Sequence, residues 1–128
     1  MSVEMDLLVW AAALTFVQAL IAAAGANLQV GLSALAGNRE NLPQIGGWAG
    51  RARRAHRNML ENLILFAILV LVAQIAGKTN ATTALGAQLF FWARVVYLLV
   101  YLVGIPWVRT GIWFISVIGL VMIFLQIV

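Results

Sequence analysis

The chain has 128 residues, of which 64% are hydrophobic and only 9% charged, with a mean hydropathy of +1.01 and a formal net charge of +4. Soluble domains carry close to a quarter charged residues, so this composition excludes a water-soluble fold and indicates an integral membrane protein. With no cysteine and one histidine, it supports neither a disulfide framework nor a metal site.

Four windows can each hold a crossing of roughly 20 residues. The first, Leu7 to Asn38, is uncharged and predicts a helix over 5–34. Its leader, MSVEMDLLVW, has Glu4 and Asp6 but no early Lys or Arg. It therefore lacks the basic region of a cleaved signal peptide, and helix one is expected to remain in the mature protein. The stretch GNRENLPQIGGWAG, residues 37–50, is dominated by turn formers and reads as a loop. A second helix is predicted over 48–77, and a short turn around Lys78 leads to a third over 81–104. Pro106 then opens a fourth over 107–127, since proline is tolerated in a helix's first turn. The segments do not alternate polar and apolar residues as barrel strands do. The expected fold is an all-α, four-helix transmembrane bundle forming one domain, residues 1–128.

The pI near 10.8 would suit nucleic acid. However, five of the eight basic residues, Arg39, Arg51, Arg53, Arg54 and Arg57, lie between or just inside helices one and two. That distribution is a positive-inside signal, so no nucleic-acid partner is expected. It places the first loop in the cytoplasm and both termini on the other side. Arg39, Arg51 and Arg53 read as topology signals and headgroup anchors.

The seam between arginines and hydrocarbon in helix two is more informative. Asn62 to Gly77 is 16 residues, about 24 Å of helix against a hydrocarbon core of roughly 30 Å. The embedded segment must extend back to Asn58, leaving Glu61 about one turn inside the apolar boundary. Arg54, Arg57, Asn58 and Glu61 follow i, i+3, i+4, i+7 spacing and form one polar stripe. A plainer reading has the arginines snorkelling to headgroups while Glu61 pairs with Arg57 along the helix. In helix three, Arg94, Tyr97 and Tyr101 share a face, and Arg94 lies near mid-membrane. An unpaired guanidinium there costs at least about 2.5 kcal/mol. Glu61 is 16 residues before Gly77 and Arg94 is 13 after Ala81, so the two are close in depth and are expected to form an ion pair. Tyr101 also fits an interfacial aromatic belt.

The run Arg51-x-x-Arg54-Ala55-His56-Arg57-Asn58-x-x-Glu61-Asn62 resembles the helix-two signature of the MAPEG family, the membrane-associated proteins in eicosanoid and glutathione metabolism. The resemblance continues through Arg94 and Tyr101 to Pro106-x-x-Arg109-Thr110. It implies a homotrimer of four-helix protomers, microsomal glutathione S-transferase-like, binding glutathione between neighbours on the cytoplasmic side. It also implies a bacterial inner-membrane protein, or one of an endoplasmic-reticulum-type membrane in a eukaryote. By similarity the binding set is Arg54, Arg57, Asn58, Glu61, Arg94 and Tyr101. That chemistry suits the ligand: two arginines and an asparagine answer two carboxylates and the amides, and a carboxylate answers the ammonium.

Arg109 and Thr110 resemble the family's pair at the start of helix four, and the resemblance gives them the catalytic role. The arginine supplies the field and the threonine a hydrogen bond that together hold glutathione as a thiolate, whose free thiol pKa is about 8.5. The helix N-terminus also favours an anion. A plain cytoplasmic charge is the alternative for Arg109. Two departures bear on catalysis: Trp113 stands where several relatives have tyrosine, and Asn27-Leu28-Gln29 stands where relatives often place an arginine. Asn27 and Gln29 remain candidates to line the site. His56 lies off the stripe and reads as structural or headgroup-facing.

The expected function is a glutathione transferase or peroxidase acting on hydrophobic small molecules from the lipid bilayer. The alternative is a non-catalytic membrane protein that keeps the fold. A small multidrug exporter would need a glutamate within helix one, which is uncharged from Leu7 to Asn38.

Overall fold

A computed structural model describes residues 1–39 and 42–128; Glu40 and Asn41 of the predicted loop lie outside the described residues. Five helices follow in order: α1 (Val3–Val30), α2 (Leu32–Ala36), α3 (Gly47–Ile75), α4 (Ala81–Val103) and α5 (Pro106–Ile127). Among the described residues there is no strand. All but α2 are long and apolar enough to cross a membrane.

Helix one does not run unbroken to residue 34. It stops at Gly31, which takes φ +86, a left-handed value that glycine adopts at little steric cost, and the chain restarts as the single turn α2. At the opposite end, Ser2 caps α1 by accepting from the Met5 amide. Asn80 opens α4 with a capping box: its side chain accepts from the amides of Thr82 and Thr83, and the Thr83 hydroxyl accepts from the Asn80 amide at 2.7 Å. Buried Glu4 lies 3.2 Å from that hydroxyl, which ties the start of α1 to the start of α4.

Apolar interiors gain little from excluding lipid, so helices in a membrane associate by close packing of small residues. Gly86 of α4 faces Gly119 of α5, and a Cβ on Gly86 would lie 2.7 Å from the Gly119 carbonyl oxygen. Gly25 of α1 meets Ala49 of α3 in the same way, at 2.6 Å from its Cβ. Phe66 and Phe90 stack between α3 and α4 with centroids 4.2 Å apart. Bulky groups such as Ile64, Leu65, Trp92, Leu99 and Phe114 point outward.

Overpacking the glycine crossing should therefore unfold the bundle. Gly119→Val is expected to cost roughly 1–3 kcal/mol or more. Gly46→Ala, in extended backbone with open space around its Cβ position, should stay within about ±0.5 kcal/mol. Thermal unfolding in detergent compares the two, and equal melting would refute the close α4–α5 contact.

Candidate functional site

Three helices meet at the arginine-bearing end. Along α4, the spacing Arg94, Tyr97, Tyr101 places all three inward, and each is buried. From α3, Arg54 Nε donates to the Tyr101 hydroxyl at 3.1 Å. From α5, the Arg109 guanidinium carbon stands 4.5 Å from the centroid of the same ring. Tyr101 is thus contacted by arginines of two helices, and Tyr97 lies beside it at 5.5 Å between centroids.

Next to this cluster is a cleft of about 230 Å³ lined by Asn58, Tyr97, Arg109, Thr110 and Trp113. Helix α5 begins there. Its N-cap, Ile105, offers no side-chain hydrogen bond, and Pro106 occupies the first turn, so backbone donors of that turn are not satisfied by a cap. Unsatisfied donors, Arg109 and the Asn58 amide make the cleft suited to an anion. The Thr110 hydroxyl donates to the Pro106 carbonyl at 3.2 Å, a local bond that competes for the proton assigned to a thiolate.

Of the expected residues, Arg54, Asn58, Tyr101, Arg109 and Thr110 converge here. Arg57 is exposed and lines two other clefts. One, of about 310 Å³ between α1 and α3, has Arg39, Arg53 and His56 over Ala22 and Ala26. The other, of about 360 Å³, lies between α3 and the loop residues Leu42–Ile45 and shares Arg53 and Arg54. His56, off the stripe as expected, lines a basic cleft, because α1 packs on the flank of α3 that the stripe leaves out.

The expected Glu61–Arg94 ion pair is absent from the described residues. The Arg54–Tyr101 and Phe66–Phe90 contacts fix the antiparallel register of α3 and α4 and bring Glu61 to the level of Arg94. Direction defeats the pair. Asn62 takes the inward position of α3 with Met59 and Phe66, and one residue of helical rotation turns Glu61 outward, where it is exposed. Arg94 is 0% exposed, its three guanidinium nitrogens have no hydrogen-bond partner among the described residues, and its charge lies over the Tyr97 ring at 4.2 Å. It touches the cleft only through that ring.

Two further side chains have backbone partners. Gln29 lines none of the three clefts; its Nε2 donates to the Gly46 carbonyl at 2.7 Å and its Oε1 accepts from the Gly46 amide at 3.1 Å, pinning the loop before α3. Arg51, read as a topology signal and headgroup anchor, also donates from its Nε to the Leu102 carbonyl at 3.0 Å. Tyr97, absent from the expected binding set, is a cleft residue, and its place in the Arg94-Tyr97-Tyr101 repeat was the available signal.

The profile of the MAPEG family matches residues 7–128. Microsomal glutathione S-transferase 1 of Sus scrofa is 36% identical over 64 residues, covering 50% of this chain and 41% of the relative. The Homo sapiens protein of the same name is 39% identical over 56 residues, covering 44% and 36%. The match spans less than half the length of either relative. No solved structure matches the chain.

If Tyr97 supports the buried guanidinium, the two side chains are energetically coupled. A double-mutant cycle of Arg94→Met and Tyr97→Leu, read by unfolding in detergent, should give a coupling of about 1–2 kcal/mol. Additive losses would remove the cation–π contact from the account.

Proposed function

This chain belongs to the MAPEG family, and from that membership and the geometry above we propose that it is a glutathione-dependent transferase or peroxidase acting on hydrophobic electrophiles that reach it through the bilayer. The observation that carries the reading is the convergence of Arg54, Tyr101 and Arg109 beside the cleft of Asn58, Thr110 and Trp113. This is a membrane protein with a small anion-suited cleft at one end of its bundle. The positive-inside distribution puts that end in the cytoplasm and both termini opposite.

In this reading Arg54 and Arg57 take the two carboxylates, Asn58 an amide and Glu61 the ammonium. Tyr101 holds Arg54 in place. Arg94 acts through Tyr97 as a fixed positive charge behind the cleft, not as a direct contact. The outward faces of Arg57 and Glu61 suit a ligand shared between protomers of a homotrimer. The cleft of Arg39, Arg53 and His56 is then the second flank, presented by the neighbour.

Chemistry requires the thiol to give up its proton, because the thiolate is the nucleophile. Arg109 lowers the cost of that charge, and Thr110 contributes a hydrogen bond once its hydroxyl turns from Pro106. The sulfur then bonds to the electrophilic carbon while a leaving group departs or a proton completes the addition. With a hydroperoxide the thiolate attacks the terminal oxygen, the O–O bond breaks and the alkoxide leaves as the alcohol after taking a proton. The resulting sulfenic acid condenses with a second glutathione to give the disulfide and water. Trp113 supplies no hydroxyl, and the Thr110 proton is engaged by Pro106. These two facts favour the second reading, a protein that binds glutathione without activating it.

Two measurements test the proposal. Calorimetric titration of the detergent-solubilised protein should show glutathione binding that weakens at least tenfold in Arg54→Ala but is unchanged in Lys78→Ala, a charge-matched change at the other end. A pH titration of thiolate absorbance should place the bound thiol below its free value of about 8.5. Arg109→Ala should raise it and lower turnover more than affinity. Binding with an unshifted thiol and no conjugation would leave a non-catalytic glutathione-binding protein, and no binding would end both glutathione readings and leave a non-catalytic membrane protein that keeps the fold.

A further inference from the structure

The proposed chemistry depends on where the α4–α5 turn delivers Arg109, and an arginine outside the binding set holds that turn. Arg51 sits on α3 one turn before Arg54, partly buried, with its Nε on the Leu102 carbonyl at 3.0 Å. Leu102 belongs to the last turn of α4, whose terminal carbonyls have no partner within the helix. Gly104 follows at φ +91, ψ 35, the left-handed cap that glycine adopts most readily. Its amide closes on the Val100 carbonyl at 2.9 Å, and the Ile105 amide reaches the same oxygen at 3.3 Å.

The side chain of Arg51 lies along this turn. A Cβ built on Gly104 would meet the Arg51 Nε, Cδ and Cζ at 3.5, 3.6 and 3.7 Å. From Ile105 the chain enters α5 directly, and the Arg109 amide closes on the Ile105 carbonyl at 3.3 Å. Only Gly104 and Ile105 lie between α4 and α5, both held by the Val100 carbonyl. A displacement of the turn is passed to Arg109 and Thr110.

We propose that Arg51 is a positioning residue, bridging α3 to the α4–α5 turn so that α5 presents Arg109 and Thr110 to the cleft at the level fixed by Arg54 and Tyr101. Arg51 and Arg54 are two rungs, three residues apart on α3, that grip consecutive residues of α4, one by its backbone and one by its hydroxyl. Arg51 lines none of the three clefts and so acts on the sulfur only through the turn. The inference rests on the glutathione reading above.

The test uses the full chain in detergent or nanodiscs, with two readouts: amide hydrogen exchange over residues 103–109 and the pKa of bound glutathione. In Arg51→Ala, the amides of Gly104, Ile105 and Arg109 should exchange at least about fivefold faster. The bound thiol should move back toward its free value, with affinity within about threefold of wild type. Arg51→Lys should restore part of both, and Lys78→Ala should change neither. Arg51→Met, which keeps the aliphatic stem, serves if the alanine variant does not fold.

Unchanged exchange in the turn would overturn the proposal. So would faster exchange with the thiol pKa still at its wild-type value, which would make Arg51 a structural cap that positions nothing. Failure of glutathione to bind the wild type would bring down the functional reading and this inference together. That outcome is distinguishable because it appears without any substitution.

Discussion

A guanidinium at mid-depth in a hydrocarbon-facing bundle has to be enclosed, and the arrangement of the helices follows from enclosing Arg94. Its cost at a helix centre is about 2.5–3.5 kcal/mol on insertion scales, and a desolvated cation–π contact returns about 2 kcal/mol. The two are of the same order, so the Tyr97 ring offsets much of the penalty without an ion pair. Enclosure needs neighbours on every side, which makes α4 the most buried helix and places α1, α3 and α5 around it. The Gly86–Gly119 contact lets α5 come close enough to close one of those sides.

From Arg94 the polar groups continue toward the arginine-bearing end in single helical turns, to Tyr97, then Tyr101, then the guanidinium groups of Arg54 and Arg109. Two adjacent rings stand between the buried cation and those at the end: Tyr97 carries Arg94, and Tyr101 meets both Arg54 and Arg109, so like charges that would otherwise repel in a low-dielectric setting are spaced apart. At that end Arg109 lines the cleft and Arg54 stands beside it on Tyr101, so the positive charge there is open to an anion. An enclosed charge that begins as a liability for insertion thus becomes part of the field of the site.

What the sequence disclosed about this arrangement was depth, and what it withheld was direction. Counting from the Lys78 turn set Glu61 level with Arg94 correctly, but a single residue of rotation sent Glu61 outward and Asn62 inward. Spacing defines a stripe without saying what it faces. The contacts of Arg51 and Gln29 were not legible for a related reason: each is bound to a backbone group, Leu102 and Gly46, and backbone partners leave no trace in side-chain patterns. The Arg94-Tyr97-Tyr101 repeat was legible because all three face one neighbourhood. The helix break at Gly31 was invisible in an uninterrupted apolar run, since a lone glycine within a helix is tolerated.

The same distinction explains why the site lies at a helix end. Within the membrane, small-residue crossings and apolar stacks such as Phe66 on Phe90 fix helix against helix; they set distance, angle and register but carry no chemistry. Backbone donors and carbonyls released from the helical ladder, which can add to what side chains offer a ligand, are found at helix termini. At the arginine-bearing end three features coincide: the left-handed close of α4 at Gly104, the uncapped start of α5 at Pro106, and the last inward tyrosine of α4. Because the two helices are joined by so few residues, the groups that end α4 and the groups that begin α5 share one geometry. On the proposed function, the arginines of α3 therefore bear on the chemistry by holding a backbone turn as well as by touching a ligand.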